Sequence, residues 1–116
     1  MDDRTYIGSL AEAKAIWYFT KEKYHVFNQV SGKAPYDLVV DKDGILYKVS
    51  VKGTSYQEPS GNYLAQLRKI RSNRTENRII HFDHTEVDLV FIYAVPEDRF
   101  KVFKAEELKG LSTKTI

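Results

Sequence analysis

The sequence predicts an α/β protein in which a central mixed sheet is flanked by helices and carries a basic β-hairpin. Three observations predict it. An amphipathic helical stretch opens the chain, an Asp43-Gly44 turn joins two β-rich runs, and residues 87–95 form a nearly continuous apolar run with the composition of a strand covered on both faces. At 116 residues and 42% hydrophobic content the chain fits one domain, residues 1–116. A chain of this size buries roughly 60–70% of its extended surface, so it needs no disulfide or metal for stability. The absence of cysteine removes thiol nucleophiles, cysteine-based zinc sites and disulfides from consideration. No apolar stretch reaches the length of a membrane span, and Met1-Asp2-Asp3-Arg4 lacks the basic-then-apolar order of a signal peptide. The chain reads as soluble and cytoplasmic, with no membrane partner.

The elements follow in order. Residues 5–23 read as a helix, because Leu10, Ala13, Ile16, Trp17 and Phe19 share one arc while Lys14, Lys21 and Glu22 lie opposite. Residues 24–30 read as a strand, and 31–35 as a loop. Residues 36–41 and 45–52 then form a hairpin whose turn sets a register: Lys42 opposite Ile45, Val40 opposite Tyr47, Leu38 opposite Val49, Tyr36 opposite Val51. The other face holds Asp37 across from Ser50, Val39 across from Lys48, and Lys52 one pleat beyond Ser50. A one-residue slip would scramble this separation.

Residues 53–61 are a polar loop. Residues 63–71 fit either a helix or a strand by period, and the polar run 72–77 followed by Ile79-Ile80 favours a second, cationic hairpin. After the apolar run, Pro96-Glu97-Asp98 makes a turn, 100–104 a last strand, and 105–108 at most a short helix. Trp17, Tyr47, Phe91 and Tyr93 are expected in the core.

The net charge is only +2, but it is unevenly spread. Between residues 62 and 82 lie Arg68, Lys69, Arg71, Arg74 and Arg78 against the single acid Glu76, leaving the remainder slightly acidic. The bland reading is a solvated edge hairpin kept soluble by its cations. The functional one has these residues on DNA, with Gln66, Asn73 and Asn77 available for bases. The histidine pair in His81-Phe82-Asp83-His84, without cysteine, reads as structural rather than as a zinc site.

Two further features carry chemistry. Glu12 falls between Phe19 and Ile16 inside the apolar arc, so it either binds a cation there or closes a capping box with Ser9. Asp37, Ser50 and Lys52 put an acid, a hydroxyl and an amine on one hairpin face, as a site or as a solvated cross-strand ion pair.

Glu12, Pro35-Tyr36-Asp37 and Ser50-Val51-Lys52 together resemble the PD-(D/E)XK nuclease superfamily, in the branch of cyanobacterial group I intron homing endonucleases and archaeal Holliday junction resolvases. The resemblance extends over residues 8–14, 36–41, 47–52 and 87–93. It implies a restriction-endonuclease-like fold and Mg²⁺-dependent hydrolysis of double-stranded DNA to 5′-phosphate and 3′-hydroxyl ends. Glu12 and Asp37, with the carbonyl of Val51, would hold the metal. Lys52 would orient or deprotonate the attacking water and stabilise the transition state. The pattern is broken at Ser50, where most of the superfamily has Asp or Glu. An active site one carboxylate short, an engineered inactivation and an inactive DNA-binding relative all remain open. Sequence-specific homing cleavage is the first expectation within the class, and a Holliday junction resolvase the second. One such subunit has one active site, so cutting both strands in register calls for a homodimer or higher homo-oligomer.

Overall fold

In the computed structural model, which describes residues 3–72 and 77–116, one α-helix, α1 (Asp3–Lys21), precedes nine strands. These are β1 (His25–Asn28), β2 (Leu38–Lys42), β3 (Ile45–Thr54), β4 (Leu64–Gln66), β5 (Lys69–Ser72), β6 (Asn77–Ile80), β7 (Leu89–Ala94), β8 (Arg99–Lys104) and β9 (Thr113–Thr115). Two 3-10 turns, Val95–Glu97 and Ala105–Leu108, bracket β8. Five strands form a mixed sheet in the order β1-β2-β3-β7-β8. Its one parallel pair is β3 with β7, and the other neighbours run antiparallel.

Turn chemistry explains the β2–β3 hairpin. Asp43 and Gly44 both take positive φ, 55° and 82°, as a two-residue primed turn requires. The Gly44 N–H donates to Asp41 Oδ1 at 3.0 Å. Lys42 faces Ile45, Val40 faces Tyr47 and Leu38 faces Val49, the register read from the sequence. The register does not extend to Tyr36 and Val51. β2 begins only at Leu38, the Asp37 N–H donates to Val49 O at 2.9 Å, and Tyr36 packs on the opposite face of the sheet. The loop leading into β2 is held instead by Gln29, whose side-chain amide donates to Tyr36 O and accepts from the Ala34 N–H.

The helix packs on one edge of its apolar arc: Phe19 and Ile16 join the core as expected, while Leu10, Ala13 and Trp17 do not. Ala11, Ala15 and Phe19 are buried with Leu38, Val40, Val49, Phe91 and Tyr93, whereas Leu10 and Trp17 are 47% and 48% exposed. Close approach selects this face. A Cβ placed on Gly53 would lie 2.8 Å from Ile7 O and 3.0 Å from Ala11 Cβ. The missing side chain of Gly53 in β3 is what lets Ile7 and Ala11 of α1 lie directly over it, the Ile7 Cγ2 also falling 2.8 Å from that position. Of the four aromatics expected in the core, Tyr47, Phe91 and Tyr93 join it and Trp17 does not.

Among the described residues no second α-helix covers the other side of the sheet. Val90 and Ile92 from β7 and Phe103 from β8 meet Ala65 and Leu67, the β4–β9 ribbon, and the 3-10 turn carrying Ala105 and Leu108. Alternate residues of β7 thus serve the two layers, which accounts for its unbroken apolar run. The cationic hairpin is present as β5–β6, pairing Lys69 with Ile80 and Arg71 with Arg78. It starts later than the sequence suggests, because Leu64–Gln66 forms β4 and pairs with β9 instead. No helix among the described residues is long and apolar enough to cross a membrane.

Candidate active site

The sheet brings Asp37 to the entrance of β2, beside the part of β3 that ends in Val51 and Lys52. The Val51 N–H donates to Asp37 Oδ2 at 2.7 Å, so one carboxylate oxygen is fixed by the backbone of the neighbouring strand. Strand alternation turns Val49 and Val51 toward the helix layer and Ser50 and Lys52 the other way. Ser50 is only 3% exposed. Both residues line a cleft of about 260 Å³ together with Lys69, His81, Asp83 and Glu86.

Glu12 does not sit in the core as the wheel suggests. It lies on the exposed flank of α1. The capping box is also absent as its explanation, because α1 starts at Asp3 and Ser9 is well inside it. The Glu12 carboxyl is held partly out of water, and this, reinforced by the charge of Asp37, raises its pKa above the ordinary carboxylate value. Burial does the reverse to Lys52. Loss of water, with a smaller contribution from Lys69, brings its pKa down to about 8 against the opposing pull of Asp37. Glu12, Asp37 and Lys52 are therefore within electrostatic reach as a chain, with Asp37 in the middle.

The hairpin candidates divide by position. Lys69 is half-buried in the cleft wall. Arg68, in the bend before β5, and Arg78 in β6 are exposed. Gln66 is exposed but belongs to β4 rather than to the cationic hairpin. Arg71 and Asn77 occupy register positions opposite Arg78 and Ser72, and Asn73 and Arg74 lie outside the described residues. Sequence reasoning missed His81, Asp83 and Glu86 as cleft residues. His81 and Asp83 belong to the His81-Phe82-Asp83-His84 motif, which spacing alone assigns to structure, and Glu86 carried no signal.

Among the described residues no three His, Cys, Asp or Glu side chains gather as a metal cage. Two carboxylates in mutual reach nevertheless suit a small hard cation, since Mg²⁺ commonly takes one or two carboxylates and completes its shell with water and substrate phosphate. Serine at position 50 leaves the set at two.

Residues 2–116 match the model of the PD-(D/E)XK endonuclease family. The chain belongs to that family. PD-(D/E)XK nucleases generally use divalent metals. Protein 5.3 of Escherichia phage T7 is 28% identical over all of this chain and 92% of its own length. The bacterial homing endonuclease I-Ssp6803I shares the fold with a TM-score of 0.86 at 28% identity, over 99% of this chain and 78% of that one. Nuclease family and structural neighbour together support a DNA endonuclease.

Proposed function

We propose that this PD-(D/E)XK protein is a Mg²⁺-dependent, sequence-specific endonuclease of the homing type, its 116 residues forming one nuclease domain that works in the cytoplasm on double-stranded DNA as a homo-oligomer. The observation that carries the reading is Asp37, pinned by the Val51 N–H between a raised-pKa Glu12 and a lowered-pKa Lys52. Mg²⁺, when bound, would neutralise charge on the phosphoryl oxygens and acidify a water.

Glu12 and Asp37 would hold the cation, with the Val51 carbonyl as the third oxygen that the family pattern implies. Glu12 and Asp37 repel each other when both are charged, and a bound cation would relieve that repulsion. Lys52, with a pKa near working pH, suits both roles asked of it. Protonated, it stabilises charge on the scissile phosphate. Deprotonated, it takes a proton from the attacking water. Ser50 offers its hydroxyl to a water in the cleft, where a carboxylate would otherwise add charge. Arg68, Lys69, Arg71, Arg74 and Arg78 supply phosphate contacts, and Gln66, Asn73 and Asn77 base contacts.

Incubation with supercoiled plasmid libraries and with a synthetic four-way junction, each in Mg²⁺ and in EDTA, tests the reading. Mg²⁺-dependent cutting of duplex at few sites is expected. Cutting of the junction alone would make it a resolvase. The neutral Ser50 favours one second reading, an inactive DNA-binding relative, and binding without any cutting would establish it.

A further inference from the structure

The helix α1 carries a second apolar stripe, on the side turned away from the sheet. Tyr6, Leu10, Ala13 and Trp17 recur at spacings of four, three and four, the period at which two helices meet along a seam. All four are exposed, Tyr6 at 54%, Leu10 at 47% and Trp17 at 48%. The buried row is a different one, Ala11, Ala15 and Phe19. A helix lying on a sheet ordinarily turns polar residues outward at these positions.

We infer that this stripe is the contact between two copies of the chain, with their helices packed antiparallel about a two-fold axis. The stripe complements itself in that arrangement. With the axis between residues 11 and 12, Tyr6 meets the partner's Trp17 and Leu10 meets the partner's Ala13, which sets large against small at the centre. The ends match in charge. Asp3 lies in the first turn and Lys21 in the last, so each acidic end lies along the other helix's basic end. Antiparallel dipoles favour the same orientation. The cations flanking the stripe, Lys14 and Lys21, stand 4.1 and 5.1 Å from the Trp17 ring at one end. Lys14 is also paired with Asp98 at 3.0 Å, which leaves the stripe suited to another apolar surface rather than to a phosphate backbone. Glu12 lies well round the helix from the seam, so the contact leaves the cleft open. A seam of four residues is smaller than a standard interface, and the dimer is therefore concentration-dependent.

The inference rests on the homo-oligomer proposed above, but its test reads no cleavage, so either can fail alone. Sedimentation equilibrium of the full chain without DNA, from about 1 to 100 μM, should show a monomer–dimer equilibrium. Leu10→Lys should weaken it by about tenfold or more while leaving the thermal melt unchanged, since the position is exposed. Asp3→Lys should weaken it as well, and adding Lys21→Glu should restore it. This pair decides the matter if Leu10→Lys does not fold. Because the chain lacks cysteine, an oxidised mixture of Leu10→Cys and Ala13→Cys proteins should give mainly the mixed disulfide. A parent that stays monomeric, a dimer indifferent to these changes, or cross-linking that favours like with like would overturn the inference.

Discussion

Replacing Lys52 by methionine should stabilise the metal-free protein at neutral pH while abolishing its cleavage. Burial, then Lys69, lowers the pKa of Lys52 from 10.5 to about 8. In the unfolded chain the amine returns to its ordinary value. Between these two pKa values the unfolded state holds a proton that the folded state has released, so stability rises with pH across that window. Below the folded value both states are protonated, and the full cost of a charge held out of water remains. At about 1.4 kcal/mol per pKa unit this comes to about 3 kcal/mol. Methionine keeps the length of the stem and removes the charge. Urea denaturation of parent and variant in EDTA should show an advantage of about 3 kcal/mol for the variant at pH 7, falling by about 2 kcal/mol near pH 9.5. An advantage that is the same at both pH values would refute the reasoning, because it would owe nothing to the buried charge.

Asp37→Asn should lower Mg²⁺-dependent cleavage by at least about a hundredfold while duplex binding in Ca²⁺ survives, since asparagine can still accept the Val51 N–H; gel shifts beside cleavage assays check both. Ser50→Ala should keep the single-turnover rate within about tenfold of the parent, because a neutral hydroxyl at that position acts through water. Neutralising Arg68 and Arg78, both exposed, should reduce the slope of log binding constant against log salt by about two without moving the melting temperature. Gly53→Ala should destabilise the fold by about 1–3 kcal/mol in urea, because the new methyl meets a backbone oxygen of α1 that has nowhere to go.

Local chemistry was legible in the sequence and choices between surfaces were not. The Asp43-Gly44 turn demands two positive φ values, and with them follow β2, β3 and their register from Lys42–Ile45 to Leu38–Val49; the approach of Asp37 to β3 rests instead on its side-chain bond to the Val51 N–H. The apolar run of β7 declared a strand buried on both sides. The helix failed differently. It has apolar residues on more than one side, and nothing in its period says that the alanine row, not Leu10 and Trp17, lies against Gly53. β9 is three polar residues whose only reason to be a strand is β4 beside it. Glu12 stood out as an acid facing the core, whereas the structure leaves it on an exposed flank of α1 with its carboxyl partly out of water and near the Asp37 carboxylate of another element, which no helical wheel can show.

The single parallel pair of the main sheet has a consequence for how this protein can change. A strand that re-enters parallel to its predecessor needs a long crossover, and here residues 55–88 provide it and include the whole β5–β6 hairpin. The catalytic candidates Asp37 and Lys52 come before that excursion and the clamp of β7 comes after it. Chain length in such a connection is thermodynamically inexpensive, about 0.6 kcal/mol for each doubling of a flexible loop. The cationic segment can therefore be lengthened, shortened or exchanged between relatives while the register of Val49 with Leu89 stays as it is. Lys69, which lines the cleft beside Ser50 and Lys52, ties that excursion to the candidate site, so exchange in the cationic segment would be freest beyond it.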